Sequence, residues 1–369
     1  MAESTRLVDL VQANIDSYLA SREPLLAEIG PELAPFVDYS RALLSGGKRF
    51  RALFCYWGWQ AVAREDLFDD EAPADNLEAV LLAATALEVF HAAALVHDDI
   101  MDNSDTRRGM PAVHRKFEHL HRTSNWLGSP PDFGRSAALL LGDLLLGWSD
   151  ELFADGVSRL TDLAARVAAR AEFNLMRTEV TVGQYLDILE ENAWARQTDS
   201  ELLSRAHRVI VYKSAKYSVE APLTIGASLG GGSIAQVAAL REFGLPLGVA
   251  FQLRDDMLGV FGDPTLTGKP AGDDLREGKR TVLIAVARER LPANARRLLD
   301  ELLGDPELSD QQVSLLQNTI QQSGAIEELE RLIAENTRVA LSAIADAPLS
   351  RSAREQLAQL ADTVIRRTA

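Results

Sequence analysis

The stretch NLEAVLLAATALEVFHAAALVHDDIMD, residues 76–102, decides how the whole chain folds. From Leu77 to Val96 it is mostly apolar, as a helix buried inside a protein must be. It then ends abruptly in Asp98, Asp99 and Asp102. Spacing by four residues brings Asp98 and Asp102 to one helix face, where one oxygen from each can share a cation. Carboxylates that close an apolar stretch lose hydration at a cost on the order of several kcal/mol each unless a cation or hydrogen-bond donors offset it.

Outward from this stretch, apolar residues recur at spacings of three and four from Leu7 through Leu360, and alternation of period two is scarce. The pattern predicts an all-α protein. Long helices are expected over 76–102, 136–153, 160–189, 201–229 and 235–260, with breakers at Gly46-Gly47, Ser129-Pro130-Pro131, Gly230-Gly231-Gly232 and Gly304-Asp305-Pro306. A length of 369 residues admits two or three domains. No linker divides the chain, so one helical domain over 1–369 is expected.

A second acidic pair, Asp255-Asp256, follows the apolar run Gly248-Val249-Ala250-Phe251-Gln252-Leu253. Both clusters offer oxygen ligands without cysteine, and His97 is only adjacent to the first. Such ligands favour Mg²⁺ or Mn²⁺ over Zn²⁺.

Composition narrows the function classes. Hydrophobic residues make up 47% and charged residues 25%, enough for a sizeable core and a charged surface. A formal net charge of −16 argues against a general nucleic-acid surface, although short basic segments can still take phosphate. The single Cys55 excludes an internal disulfide and fits a reducing cytoplasm. The polar start lacks the order of a secretory signal, and Asp143 interrupts the apolar run 137–148, so no transmembrane segment is expected.

Three basic segments stand near the acidic clusters. Gly46-Gly47-Lys48-Arg49-Phe50-Arg51 reads equally as a diphosphate-binding loop and as an ordinary helix-start turn. Arg107-Arg108-Gly109 follows the first cluster, and the segment from Gly268-Lys269 to Gly278-Lys279-Arg280 follows the second. Glycine lends mobility and Lys or Arg lend anion affinity, as a lid over phosphate groups needs. The alternative for each is a solvated charged loop.

Taken together, these motifs resemble those of the all-trans isoprenyl diphosphate synthases, with bacterial geranylgeranyl diphosphate synthases nearest in character. The resemblance runs through Gly46–Arg51, His97–Asp102, Arg107–Gly109, Gly183-Gln184, Lys213-Ser214, Phe251–Asp256, Gly268-Lys269 and Gly278-Lys279. It implies a helical bundle around a deep cavity, usually a homodimer, that joins isopentenyl diphosphate to an allylic diphosphate with three Mg²⁺ per active site, Mn²⁺ being the alternative. It further implies that Asp98 and Asp102 bind metal with Asp99 in support, and that Asp255 and Asp256 bind metal from the second motif. Lys48, Arg51, His91 and Arg108 match the isopentenyl diphosphate site. Arg107, Lys213, Gln252, Lys269 and Lys279 match the allylic diphosphate site, and Ser214 stands where the family usually has threonine. The carboxylates, Arg107, Lys213 and Lys269 form the implied catalytic set.

Gly259 departs from the family, which often has a third aspartate there. Asp263 lies too far along to replace it, so activity with weakened metal affinity is expected. Ala94 and Ala93, four and five residues before Asp98, leave room where bulky family residues stop chain growth. Phe90 lies one turn of about 5.4 Å deeper and reads either as the cavity floor or as core. A floor there implies geranylgeranyl diphosphate, with farnesyl or longer products as alternatives. A class I terpene cyclase is disfavoured by Gly46–Arg51 and by the lack of an Asn-Asp-x-x-Ser-x-x-x-Glu motif, and a non-catalytic partner subunit by the largely intact motifs. His97 reads as a hydrogen-bonding neighbour, His114 as structural, Asp69-Asp70 as a solvated turn, and Asp143 as internally paired outside the site.

Overall fold

Helices begin and end where local chemistry dictates, and the breaker Ser129-Pro130-Pro131 turns out to be a start signal. Ser129 accepts a hydrogen bond from the Asp132 backbone N–H at 3.4 Å, so Pro130 and Pro131 occupy first-turn positions whose N–H groups need no partner. The helix expected from 136 therefore starts at Pro130. The computed structural model describes residues 2–62, 74–262, 272–305 and 307–366; Asp69-Asp70, Asp263, Gly268 and Lys269 lie outside the described residues.

The chain gathers into two compact units. The first takes residues 1–170 and 225–232. It contains α1 (Ala2–Ile29), α2 (Ala34–Leu43), α3 (Phe50–Val62), α4 (Ala74–Met101), α5 (Val113–Thr123) and α6 (Pro130–Arg159). At its centre is α4, which packs against α1, α3, α5 and α6. That enclosure explains why its sequence is apolar on every side. Gly156 lets α6 approach closely, since a side chain there would stand 2.9 Å from the Ala79 carbonyl. Ser149 Oγ donates to the Ala86 carbonyl at 2.7 Å across the same contact. Leu87 and Val96 are buried, each contributing about 2 kcal/mol. Burial also pushes the Cys55 thiol up to about 12, which leaves it inert.

The second unit takes residues 171–224 and 233–369. Most of α7 (Leu163–Ala193) belongs to it, with α8 (Asp199–Val209), a π-helix over Ile210–Glu220, and α9 (Ala221–Leu229), which ends in the first unit. It continues through α10 (Ile234–Phe261), α11 (Asp273–Glu277), α12 (Val282–Arg290), α13 (Ala293–Leu302), α14 (Asp310–Gln322), α15 (Ala325–Ala345) and α16 (Arg351–Ile365). The sequence predicts one helix over 201–229, but its register widens over Ile210–Glu220. Gly248 of α10 permits this packing, because a Cβ there would meet the Ala215 backbone 2.5–2.8 Å away. A core containing Leu253, Val260, Leu283, Ile284, Leu316 and Ile333 holds α10 among the helices around it.

By length and composition, 76–101 and 234–261 qualify as membrane-spanning helices, with mean hydropathies of 2.0 and 1.3, where the sequence reading had none. For 76–101 the most apolar window is 78% buried inside the fold, so its hydropathy is that of a core helix.

Candidate active site

The acidic motif of the first unit is built by the end of α4. The Asp102 backbone N–H donates to the Asp98 carbonyl at 2.8 Å, so the last turn is intact and the two residues share a face. Asn103, with φ of 59°, then stops the helix. Because the partial negative charge of a helix C-terminus adds to that of the carboxylates, this end calls for a cation. Arg107 answers in part. Its Nε donates to Asp99 Oδ1 at 2.9 Å, and its Nη2 lies 3.6 Å from Asp98 Oδ2. Asp99 is thus committed to Arg107.

Arg107-Arg108-Gly109 is not the mobile loop suggested by its composition. Residues 106–107 pair with 110–111 in a short antiparallel hairpin, the one β-sheet among the described residues. Its two linking residues, Arg108 (φ 53°) and Gly109 (φ 72°), are both left-handed, as a two-residue hairpin turn demands. Holding arginine in that conformation costs about 1–3 kcal/mol. The result is that consecutive arginines part ways. Arg107 faces the carboxylates, while the Arg108 guanidinium lies where a side chain on Gly47 would touch it at 3.5 Å.

The basic loop at 46–51 is likewise more ordered than its sequence implies. Of its three cations, Arg49 turns inward. It pairs with buried Glu88 of α4 at 3.3 Å and donates to Gln12 Oε1 at 2.6 Å and to the Leu44 carbonyl. Glu88 also accepts from the Ala52 N–H at 3.1 Å, fixing the start of α3. Lys48 remains exposed and Arg51 half-buried. One turn beyond Glu88 on α4 sits half-buried His91, which burial and then Arg51, Arg108, Arg107 and Arg49 hold well below the usual histidine range. So many cations around a neutral imidazole make an anion site. His97 takes a different direction. It packs over Gly142 of α6, with Nε2 3.2 Å from the Leu139 carbonyl and 3.5 Å from Asp143 Oδ1, as a hydrogen-bonding neighbour would. Below the carboxylates, Phe90 and Ala93 are buried and Ala94 keeps accessible surface.

In the second unit, α7 and the π-helix bring Lys213 into place. Gly183 makes room for it, since a Cβ there would be 2.5 Å from the Lys213 backbone nitrogen. One turn on, Asp187 accepts from Lys213 Nζ at 2.5 Å and from Lys279 Nζ at 3.2 Å, while Lys279 also reaches Glu191 at 2.9 Å. Ser214 lies beside Lys213 within the π-helix and is half-buried. The 268–280 segment also departs from a plain loop, because Asp273–Glu277 forms α11 between left-handed Gly272 and Gly278.

The second aspartate pair is asymmetric. Asp255 is exposed and Asp256 buried. Gln252 Nε2 donates to Asp256 Oδ1 at 2.9 Å, whereas Asp256 Oδ2 is buried with no hydrogen-bond partner among the described residues. Burial raises this carboxyl well above the usual range; the Gln252 bond opposes the rise, and the charges of Asp274, Asp255 and Asp187 add to it. An orphaned oxygen among three further carboxylates fits a divalent cation. Arg254 of the same motif is structural, forming a two-point pair with Glu330 at 2.6 and 2.7 Å. Among the described residues no three His, Cys, Asp or Glu side chains form a complete metal cage. That suits Mg²⁺, which is commonly held by one or two carboxylates with phosphate and water completing its shell.

Several participants escaped the sequence reading. Arg49 and Glu88 were legible only as a basic-loop member and a carboxylate stranded in the apolar 76–102 run. Asp187 and Glu191 follow Gly183 at helical spacing, a signal that lacks meaning until Lys213 and Lys279 converge on them. Asp274 was read as part of a charged loop.

The pattern of the polyprenyl synthetase family matches residues 34–320. A geranylgeranyl diphosphate synthase of Methanosarcina mazei is 30% identical over 366 residues, covering 98% of each chain. A geranylfarnesyl diphosphate synthase of Aeropyrum pernix is 32% identical, covering 88% of this chain and 91% of its own. The crystal structure of a geranylgeranyl pyrophosphate synthase from Corynebacterium glutamicum, complexed with isoprenyl diphosphate and magnesium, superposes with a TM-score of 0.90 at 38% identity, over 98% of this chain and 99% of that one. Since the matched region runs through both acidic motifs and the basic loop before α3, the chain belongs to the polyprenyl synthetase family, the all-α trans-prenyltransferases that make isoprenyl diphosphates.

Proposed function

We propose that this enzyme condenses isopentenyl diphosphate with an allylic diphosphate and that geranylgeranyl diphosphate is its main product. One observation carries the two-substrate reading. Consecutive arginines in a rigid hairpin serve different surroundings, Arg107 at the Asp98/Asp99 carboxylates and Arg108 beside Gly47 and the His91 cations. Two anions are thereby provided for at adjoining places in the first unit.

Lys48, Arg51, His91 and Arg108 bind the isopentenyl diphosphate in this reading, and Arg49 with Glu88 positions the loop that carries two of them. Arg107, Lys213, Ser214, Gln252, Lys269 and Lys279 bind the allylic diphosphate. Mg²⁺, three ions per site with Mn²⁺ able to replace them, would be held by Asp98, Asp102, Asp255 and Asp256 and supply Lewis-acid neutralisation of the leaving diphosphate. The allylic carbon–oxygen bond breaks with its electron pair going to diphosphate, and the cationic side chains meet the charge where it develops. The isopentenyl double bond then attacks the allylic carbon to form the new carbon–carbon bond. A proton leaves the adjacent carbon for the departed diphosphate, restoring an alkene. The apolar surface of α4 excludes water that would capture the cation.

Product length is set along α4, where Ala94 leaves space one turn below Asp98 and Phe90 forms the floor. The family match through both units supports one catalytic domain over the chain. Exposed Leu139 and Leu140 on α6, with Leu163, Val167, Leu175 and Val182 on α7, support a homodimer, and the single Cys55 fits the reducing cytoplasm as its place of work.

The test is direct incorporation. Purified protein with Mg²⁺, labelled isopentenyl diphosphate and dimethylallyl, geranyl or farnesyl diphosphate should give a geranylgeranyl product by chromatography. Cyclic hydrocarbon instead, or no incorporation with any primer, would overturn the proposal; a geranylfarnesyl product would correct its chain length.

A further inference from the structure

The place of the missing third aspartate is filled from elsewhere in the chain. An ideal Cβ built on Gly259 overlaps Oδ2 of Asp274 and lies 2.8 Å from its Oδ1. Asp274 is the second residue of α11, which left-handed Gly272 and Gly278 set between them. Its backbone carbonyl accepts from the N–H groups of Gly278 and Lys279, the latter at 3.0 Å, so the turn that presents it is closed on itself. Gly304 N–H further ties α11 down by donating to the Leu275 carbonyl at 2.9 Å. Position 259 therefore has no space for any side chain while Asp274 is in place. It does have a carboxylate over it.

That carboxylate belongs to the same electrostatic group as the aspartate pair. Asp256 is 4% exposed, its Oδ2 has no hydrogen-bond partner among the described residues, and Gly259, over which the Asp274 carboxylate sits, follows it by three residues on the same face of α10. Three carboxylates without a cation would repel one another; with one they form an acidic face equivalent in number to an intact three-aspartate motif.

We propose that Asp274 supplies to the metal of the second motif the carboxylate that Gly259 lacks, and that Gly259 is required because Asp274 occupies its side-chain space. The proposal rests on Asp255 and Asp256 being a metal-binding pair. It replaces the expectation of a shortened, weakened motif with one whose third carboxylate comes from another segment, phosphate and water completing the ion's shell.

A residue swap tests it, read as Mn²⁺ binding in the presence of inorganic diphosphate by electron paramagnetic resonance, with circular dichroism melting of the metal-free proteins to verify folding. Asp274→Asn should weaken Mn²⁺ binding by roughly 10-fold or more. Gly259→Asp alone should also weaken it, since the new side chain must displace Asp274. The double variant Gly259→Asp with Asp274→Ala should recover most of the affinity, because one carboxylate again fills the shared space. Unchanged binding in Asp274→Asn overturns the proposal, as does tighter binding in Gly259→Asp alone or losses that simply add in the double variant. Asp255→Asn separates the two levels of inference: if it leaves binding intact, the metal-binding pair itself is wrong, and if it alone abolishes binding while Asp274→Asn does nothing, only the role of Asp274 is wrong.

Discussion

Removing Glu88 should damage the enzyme in two separable ways. Glu88 and Arg49 are 5% and 3% exposed at their side chains and 3.3 Å apart. At an effective dielectric constant near 20 their attraction is about 5 kcal/mol, a gain that the loss of hydration by two buried ions largely offsets. Glu88→Ala keeps the cost and discards the gain, leaving Arg49 buried without its counter-charge, at about 3–5 kcal/mol. It also deprives the Ala52 N–H of its acceptor, a further loss of about 1–3 kcal/mol that overlaps the first because one side chain provides both. A net destabilisation near 4 kcal/mol is expected by urea denaturation. The double variant Arg49→Met with Glu88→Leu removes both charges and should recover most of that stability. It should nevertheless keep a raised KM for isopentenyl diphosphate with an unaltered KM for the allylic substrate, since Lys48 and Arg51 flank the lost anchor. A loss below about 1 kcal/mol in Glu88→Ala would refute the structural half of this reasoning, and a normal isopentenyl diphosphate KM in the folded double variant would refute the functional half.

Ala94→Phe should shorten the product by one isoprene unit and Phe90→Ala should lengthen it, both read by chromatography; unchanged profiles would return both positions to ordinary packing. His91 should make stability depend on pH. Its folded value is depressed below the ordinary value of about 6.5 by burial and by Arg51, Arg108, Arg107 and Arg49, so below that pH the unfolded chain binds the proton and the folded chain does not. Stability contributed above pH 6.5 is therefore lost as pH falls, by at most about 1.4 kcal/mol per pH unit. His91→Gln should flatten the melting temperature between about pH 5 and 6.5 relative to the parent, and an identical pH slope would count against the placement of His91 among the arginines. Mn²⁺ and inorganic diphosphate should bind cooperatively, because an ion held by one or two carboxylates completes its shell with phosphate oxygens. Equal calorimetric affinity for Mn²⁺ with and without diphosphate would contradict that.

Much of the fold was legible because apolar periodicity is a local property. The run 76–102 reads as a helix from its own residues, and its lack of a polar face already places it inside others. Helix registers and junctions were less legible. The π-helix at Ile210–Glu220 depends on how Gly244 and Gly248 of α10 meet the backbones of Glu220 and Ala215, which no neighbouring residue announces. In the candidate site, the residues proposed to meet ligands were readable as clusters of like charge: Asp98 with Asp102, Asp255 with Asp256, Lys48 with Arg51. Residues that hold those clusters carry the opposite charge and come from distant segments, as Glu88 does for Arg49 and Asp187 does for Lys213 and Lys279. Sequence distance conceals them.

The same pairs explain how a site dense in charge remains folded. Arg107 lies on Asp98 and Asp99, and Lys213 and Lys279 share Asp187. These three cations thus each rest on a carboxylate, which limits self-repulsion among them. These resting contacts are not equivalent. Asp99 is 2% exposed at its side chain and Asp187 12%, so both are held by the fold, whereas Asp98 at 22% is more open and its oxygen is 3.6 Å from Arg107. In the proposed function a metal ion would take Asp98 without disturbing Asp99. Arg107 then keeps a buried anchor while its outer edge turns toward phosphate. Tight pairing belongs to Asp99 and Asp187 and loose pairing to Asp98, so in the proposed function Asp99 would keep Arg107 in place when Asp98 changes partner.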